Sequence, residues 1–193
     1  MAARSVAATN KDFVLRKVLL SEVSKSTCNL VAKLNLTIKT HKEAGEVVPR
    51  AIHSYSACAL APGMRWLSRM LRVKLSHLPH LLIDSDHLIR LLRNFRLPAT
   101  AKFLRFDVKD FYMTGSHDFL VEHSAAILDV QQRADYRSMC SAILCNQYIQ
   151  FPSQQSTYKV TRGAGMGMIC SGDSGCRLLQ RGRETFLPFA RCS

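Results

Sequence analysis

Acidic residues are scarce in this sequence of 193 residues, in which 14 Asp and Glu stand against 27 Lys and Arg and give a formal net charge of +13. A field of that sign attracts polyanions: nucleic acid, an anionic membrane surface or an acidic protein. Composition alone does not choose among them, and a merely basic soluble protein has the same balance. The apolar content of 47% is sufficient for one ordinary domain with its own core.

Several familiar signals are also missing. No run of about 18 uncharged apolar residues occurs, so no helix is expected to span a membrane, and the first residues lack the apolar run of a secretory signal. The seven Cys residues form no CxxC pair, which indicates free buried thiols in a reducing compartment rather than a zinc site. We therefore expect an intracellular protein, nuclear or cytoplasmic.

The apolar pattern predicts a mixed α/β fold of the α+β kind. Apolar and polar residues alternate over 34–39, and a Gly45 turn precedes a second strand-like stretch at 47–54, which together predict a β-hairpin. The other predicted elements are one or two short helices in 11–33, two helices in 60–94 broken near Pro79, one or two helices in 117–147, and strand-type runs at 104–108, 148–151 and 158–160.

A short hydrophobic run ends at Asp107, and Asp110 and Tyr112 follow it. Mg²⁺ takes carboxylate oxygens together with substrate phosphates. An Asp at the end of a strand, beside a main-chain carbonyl, is therefore suited to phosphoryl or nucleotidyl transfer, and an aromatic ring five residues later could stack on a sugar. The alternative is an Asp that caps the following turn, which is the commoner role of such a residue.

Three cations lie on the predicted hairpin, namely Lys39, Lys42 and Arg50. Such a group can neutralise a triphosphate, and a guanidinium matches phosphate oxygens with two parallel hydrogen bonds. A solvated hairpin tip is the alternative interpretation.

A glycine-rich segment, 162–173, is the third pattern, and it reads Arg-Gly-Ala-Gly-Met-Gly-Met-Ile-Cys-Ser-Gly-Asp. Its glycines permit a close approach of the backbone to a ligand. The spacing fits neither a dinucleotide fingerprint nor a P-loop, because the required Gly-Lys-Ser/Thr is missing. By itself this segment is a weak signal.

Taken together and in order, the three patterns resemble those of reverse transcriptases, above all Penelope-like elements and related non-LTR retroelements. The fingers patterns P-K-x-H-K and R-P-I-x-S are similar to 38–42 and 49–54, and the first palm motif, D-V-x-x-L/F-Y, is similar to 107–112. The second palm motif, Y-x-Q-x-x-G-x-A-M-G-S-P-x-S-P, is similar to 158–172. The resemblance covers about 34 to 175, most of the chain.

The resemblance implies a role for each matched residue. Asp107 would hold the catalytic Mg²⁺ ions near the Val108 carbonyl. Asp110 would line the triphosphate site through its backbone amide, and Tyr112 would lie under the incoming sugar. The triphosphate would be gripped by Lys39, Lys42 and Arg50, and the nucleotide with its template base would be packed against Gly163, Gly165, Met166, Gly167 and Ser171. The partners would be an RNA or DNA template–primer and a deoxynucleoside triphosphate.

The sequence also departs from the family pattern. Val160 replaces Gln, Met168 and Ile169 replace Ser-Pro, and no Tyr-x-Asp-Asp follows residue 173, where Glu184 is the only later acid. We therefore expect a polymerase piece that ends after the second palm motif and is inactive alone. A non-catalytic basic nucleic-acid-binding module is the alternative.

The resemblance divides the chain into four regions. The expected regions are an N-terminal helical segment, 1–33; a fingers-like region, 34–106; a partial right-hand palm, 107–175; and an atypical tail, 176–193. The tail does not fit the family pattern, and a shifted reading frame is one hypothesis for its origin.

Overall fold

The computed structural model describes residues 31–38, 49–56, 58–78, 81–82, 84–93, 96, 98–102 and 110–174. Its elements are β1 (Val31–Ile38), β2 (Pro49–Ser54), α1 (Ala61–Leu75), α2 (Ser85–Arg93), a 3-10 turn (Phe111–Met113), α3 (His117–Ala125), α4 (Val130–Cys145), β3 (Tyr148–Gln150) and β4 (Thr157–Lys159). The fold is mixed α/β, as predicted. Of the expected N-terminal segment, 1–33, only 31–33 are described, and the expected tail, 176–193, lies wholly outside the described residues.

One four-stranded sheet has the order β2-β1-β3-β4. Strand β1 pairs antiparallel with β2, with Leu34 opposite His53 and Thr37 opposite Arg50, so the predicted strand pair is confirmed. On its other side β1 pairs parallel with β3. A parallel partner requires the chain to return to the same end of the sheet, and the helical segment between β2 and β3 provides that return. Strand β4 then pairs antiparallel with β3.

Strand β1 begins at Val31, inside the segment for which the sequence predicted helix. That prediction was wrong for 31–33, and its remaining residues lie outside the described part. The alternation continues back through these positions, because Ala32 and Leu34 are buried while Lys33 is exposed. Inward and outward positions two residues apart fit a half-buried strand better than a helix.

The core forms where α1 packs on α4. The buried face of α1 carries Met64, Leu67 and Leu71 at helical spacing. Gly63 makes the close approach of the two helices possible, because an added Cβ would lie 3.0 Å from the Met139 sulfur of α4. The positions of α1 and α2 confirm the helix pair predicted in 60–94, and those of α3 and α4 confirm the helices predicted in 117–147.

None of the four described cysteines forms a disulfide: Cys58, Cys140 and Cys170 are buried and Cys145 is exposed. The prediction of buried thiols outside disulfides is confirmed for three and wrong for Cys145, the last residue of α4. Burial raises the pKa of Cys140 to about 12, which keeps that thiol protonated and unreactive at neutral pH. Within the described ranges, every helix is too short or too polar to cross a bilayer.

Candidate functional site

The glycine loop (162–172) is held at its beginning by the turn 110–115. The Gly163 N–H donates to the Gly115 carbonyl over 2.9 Å, and the Ala164 N–H donates to the Tyr112 carbonyl over 2.7 Å. Gly163 has a φ of 76°, and an added Cβ would lie 2.5 Å from the Met113 Cα. Only glycine satisfies both conditions at this position.

The middle of the glycine loop packs against the end of β2. The His53 N–H donates to the Met166 carbonyl over 2.7 Å, which continues the backbone pairing on the outer edge of β2. The His53 ring occupies the space that a Cβ on Gly165 would need, and the His53 carbonyl does the same at Gly167. The chain's own atoms therefore fill the space left by these two glycines.

Gln147, which follows α4, joins two points of the same loop. It is fully buried; its Nε2 donates to the Gly163 carbonyl over 3.1 Å, and its Oε1 accepts from the Gly165 N–H over 3.3 Å. One side-chain amide thus pairs with a carbonyl and an N–H that burial would otherwise leave without partners. We call the glycine loop, the turn 110–115, the end of β2 and Gln147 together the loop junction.

His53 is the titratable group at the centre of the loop junction. It is 4% exposed, and its Nδ1 has no hydrogen-bond partner among the described residues. Burial lowers the pKa of the imidazole, because a charged ring would lose its hydration. His53 is therefore neutral at neutral pH.

This burial predicts a loss of stability in acid. The unfolded chain binds a proton on His53 near its ordinary pKa of 6.5, and the folded chain binds it only at lower pH. Between these two pH values the unfolded state holds more protons, so the free energy of unfolding falls as the pH falls below 6.5. The slope from one such group is at most about 1.4 kcal/mol per pH unit.

Urea unfolding of the wild type and of His53→Asn across a pH series measures this effect. Burial also lowers the pKa of His117, so the wild type carries at least two such contributions, and the difference between the two proteins isolates His53. We expect His53→Asn to have the shallower acid slope. Identical slopes would exclude His53 as a source of the acid sensitivity.

Arg50, the cation predicted to bind a triphosphate, is exposed on β2 and lies opposite Thr37. It precedes His53 by three residues, roughly 10 Å along the strand. Side chains alternate between the faces of a strand, so Arg50 and His53 point to opposite faces. The glycine loop reaches the Arg50 face at Ile52, whose Cγ2 would lie 3.1 Å from a Cβ on Gly167.

The two predicted nucleotide-binding residues in the turn 110–115 differ in environment. Asp110 is exposed and has a φ of 52°, a left-handed conformation that Asp tolerates better than most residues. Its carbonyl accepts from the Met113 N–H over 2.9 Å and from the Thr114 hydroxyl over 2.8 Å. Tyr112 is half-buried, with its ring edge-on to Phe111 at 5.1 Å. Asp110 thus starts a tight turn that presents Tyr112 beside the loop.

The remaining predicted residues fall into two groups. Met166 is half-buried in the loop, and the buried Ser171 uses its hydroxyl to donate to the Met168 carbonyl over 2.8 Å. The residues that lie outside the described part of the chain are Lys39, Lys42, Asp107 and Val108. Among the described residues, no three His, Cys, Asp or Glu side chains are grouped so that they could hold a metal ion.

Sequence reasoning missed His53, Gln147 and Asp173 as residues that organise the loop junction. Asp173 directly follows the glycine loop and joins its end to α1: it accepts from the Ser68 hydroxyl over 2.6 Å and pairs with Arg72 over 3.1 Å. The sequence signal for His53 was its place in the alternating pattern of a predicted strand, at a position that points to the buried side. For Gln147 it was a polar side chain between apolar helix and strand residues.

Exposed arginines lie on the two helices that follow β2. On α1, Arg65 and Arg69 are exposed one helical turn apart, and among the described residues no acid lies within ion-pair distance of either. On α2, Arg90 and Arg93 are also exposed. Such side chains can contact a phosphate backbone without first breaking an ion pair.

No protein-family model, curated protein or solved structure matches this chain. The residues and contacts of the loop junction, together with the exposed arginines, are therefore the basis for inferring a function.

Proposed function

We propose that this chain is the fingers and first-palm region of a retroelement reverse transcriptase, which binds a template–primer and a deoxynucleoside triphosphate. The observation that carries the proposal is the meeting of three segments that are far apart in sequence. Each segment contains part of a different matched motif: the end of β2, the turn 110–115 that holds Tyr112, and the glycine loop. Backbone hydrogen bonds join the glycine loop to the other two segments. A shared nucleotide site requires such a meeting.

In this proposal Asp107 would hold Mg²⁺, and Lys39, Lys42 and Arg50 would bind the triphosphate. The primer 3′-oxygen attacks the α-phosphorus and pyrophosphate leaves, while two metal ions would stabilise the attacking and leaving oxygens. The 193 residues contain the first acidic segment that this chemistry uses, but no Tyr-x-Asp-Asp. Nucleotide addition would therefore need carboxylates from outside these residues.

A non-catalytic nucleic-acid-binding module is the second candidate, and one observation favours it. The space beside Gly163 and Gly165 is filled by Met113 and His53 of the chain itself, and the Ser171 hydroxyl is used within the loop. In this candidate the glycines allow close packing within the chain rather than ligand binding, and the exposed Arg65 and Arg69 would contact the nucleic acid.

The variant Asp107→Asn tests the proposal, with Asp135→Asn on α4 as a control of equal charge change. Binding of a fluorescent deoxynucleoside triphosphate is measured with and without Mg²⁺, and template–primer binding is measured against salt. We expect Asp107→Asn to weaken the Mg²⁺-dependent binding at least about tenfold, the lower limit found for outer-shell partners of metals. Template–primer affinity and its salt dependence should change no more in Asp107→Asn than in Asp135→Asn, because both variants remove one negative charge.

Three outcomes separate the candidates. Loss of Mg²⁺-dependent nucleotide binding in Asp107→Asn alone supports the polymerase proposal. Salt-sensitive nucleic-acid binding with no Mg²⁺-dependent nucleotide binding in any variant supports the non-catalytic module. A wild type that binds neither ligand contradicts both candidates.

A further inference from the structure

A pocket of ≈ 380 Å³ opens beside the loop that joins β3 to β4. It is lined by Lys33 of β1, Gln150 of β3 and the loop residues 151–155, and Lys33 lies directly opposite Gln150 in the parallel pair. Its volume is at the lower end of the range of about 300–1,000 Å³ typical of small-ligand sites. None of the residues matched to a polymerase motif lines it.

Internal contacts order the wall of the pocket. The Phe151 ring lies edge-on to the Tyr158 ring, with 5.5 Å between centroids and an interplanar angle of 89°. The Tyr158 hydroxyl donates to the Gln154 Oε1 over 3.0 Å, and the Gln150 Nε2 donates to the Gln155 carbonyl over 3.2 Å. The ring and two of the amides are therefore held in defined orientations.

The lining still offers groups to a ligand. Because the Gln154 oxygen accepts from Tyr158, the N–H donors of that amide are left to other partners, and none of the described residues takes them. Gln150 uses its nitrogen, which leaves its oxygen as an acceptor. Lys33 is exposed, and no acid stands among the described lining residues. The pocket therefore combines one cation, one aromatic ring, and amide donors and acceptors.

Each simpler class of ligand would use only part of this set. An apolar ligand would leave the amides and Lys33 without partners, at a cost for every polar group it covers. An inorganic anion would use Lys33 but not the ring. A nucleotide uses all three, because its base stacks on an aromatic ring, its edge pairs with amides, and its phosphate attracts a cation.

We propose that this pocket takes one nucleotide of a single-stranded nucleic acid, with the base against Phe151 and a phosphate at Lys33. The site is additional to the nucleotide site of the proposed polymerase. It rests on the proposed function only in requiring that the chain binds nucleic acid.

The test uses the full chain, a fluorescent single-stranded oligothymidylate, and anisotropy measured over a range of salt concentrations. The first variant is Phe151→Leu, which keeps an apolar side chain, and the second is the surface change Lys33→Gln. The control is Lys159→Gln on β4, since it removes the same charge from the same sheet outside the pocket. We expect Phe151→Leu to bind about tenfold more weakly, because base stacking is lost. Lys33→Gln should lower the slope of log affinity against log salt by about 0.7, the value for one phosphate of a single strand.

Several results would overturn the proposal. If Phe151→Leu binds the oligothymidylate as tightly as the wild type, no base stacks on Phe151. If Lys33→Gln and Lys159→Gln lower the salt slope equally, the effect of Lys33 comes from the net charge of the protein and not from a phosphate bound in the pocket. Equal affinity for the oligothymidylate and for its duplex excludes a single strand, and thymidine monophosphate binding as tightly as the oligomer makes a free nucleotide the ligand.

The outcome is separable from that of the polymerase proposal. Wild-type behaviour of both pocket variants, together with an Asp107→Asn effect on Mg²⁺-dependent binding, removes the pocket and leaves the polymerase. Weakened oligomer binding in Phe151→Leu, without any effect of Asp107→Asn on Mg²⁺-dependent nucleotide binding, keeps the pocket proposal and rejects the polymerase proposal.

Discussion

Replacing Gly163 with Ala is expected to lower the free energy of unfolding by about 3 kcal/mol. The φ of 76° lies in the left-handed region, where a side chain alone costs roughly 1–2 kcal/mol. The added Cβ would also lie 2.5 Å from the Met113 Cα and 2.6 Å from the Tyr112 carbonyl oxygen. Because these are backbone atoms, no side chain can rotate away, and the turn 110–115 must separate from the glycine loop.

Gly172→Ala is the matched control, because no atom beyond the neighbouring backbone lies within 4 Å of a Cβ at that position. Its effect should stay within about 0.5 kcal/mol. For a chain of this length each kcal/mol corresponds to roughly 2–4 °C in Tm, so Gly163→Ala should melt about 6–12 °C below the wild type. Urea unfolding and thermal melting both measure the difference. Equal destabilisation at the two glycines would contradict the packing described for the loop junction.

The elements with a strong local period could be predicted from the sequence. In α1 the buried Met64, Leu67 and Leu71 recur at helical spacing, and the helix ends before Pro79. The antiparallel pairing of β1 with β2 follows from two alternating stretches with a glycine between them. In both cases neighbouring residues carry the information, so no knowledge of distant contacts is needed.

The pairing of β1 with β3 could not be predicted in the same way. Its register, with Val31 opposite Tyr148, joins residues separated by strand β2 and helices α1 to α4. Three-residue strands such as β3 and β4 carry too few alternating positions to specify a partner. The position of Lys33 beside Gln150, and with it the pocket, depends on this non-local pairing.

The candidate site was predictable only in part. Glycine lacks a Cβ whether a ligand or the chain itself fills the space, so the pattern at 163–167 could not distinguish these cases. The contacts identify Met113 and His53 as the groups against Gly163 and Gly165. The roles assigned by resemblance to Asp107, Lys39 and Lys42 stay predictions, because these residues lie outside the described part of the chain.

The alternation of β2 also bears on the proposed triphosphate site. Arg50 and His53 are an odd number of residues apart, so the strand turns them to opposite faces. Ile52 lies on the same face as Arg50 and beside Gly167 of the glycine loop. A triphosphate bound by Arg50 would therefore lie on the face of β2 opposite to the His53 ring.

Gln147→Leu is expected to destabilise the protein by about 3 kcal/mol. The change leaves the buried Gly165 N–H without its acceptor and removes one donor from the Gly163 carbonyl, since the side-chain amide serves both. A buried donor without a partner costs roughly 1–3 kcal/mol, and a lost hydrogen bond about 1 kcal/mol more. Leu has nearly the volume of Gln, so the loss of polar partners rather than a cavity dominates the effect.

Two measurements separate this effect from a general loss of stability. Gln132→Leu, at an exposed position of α4, is the control and should change the free energy of unfolding by less than about 0.5 kcal/mol. Hydrogen exchange of the Gly165 amide should accelerate in Gln147→Leu by more than that of amides within α1, because the loop loses its local anchor. The double variant with Gly163→Ala should be less destabilised than the sum of the single changes, since both act on the same loop. Additive effects, or equal exchange in loop and helix, would mean that Gln147 does not hold the glycine loop in place.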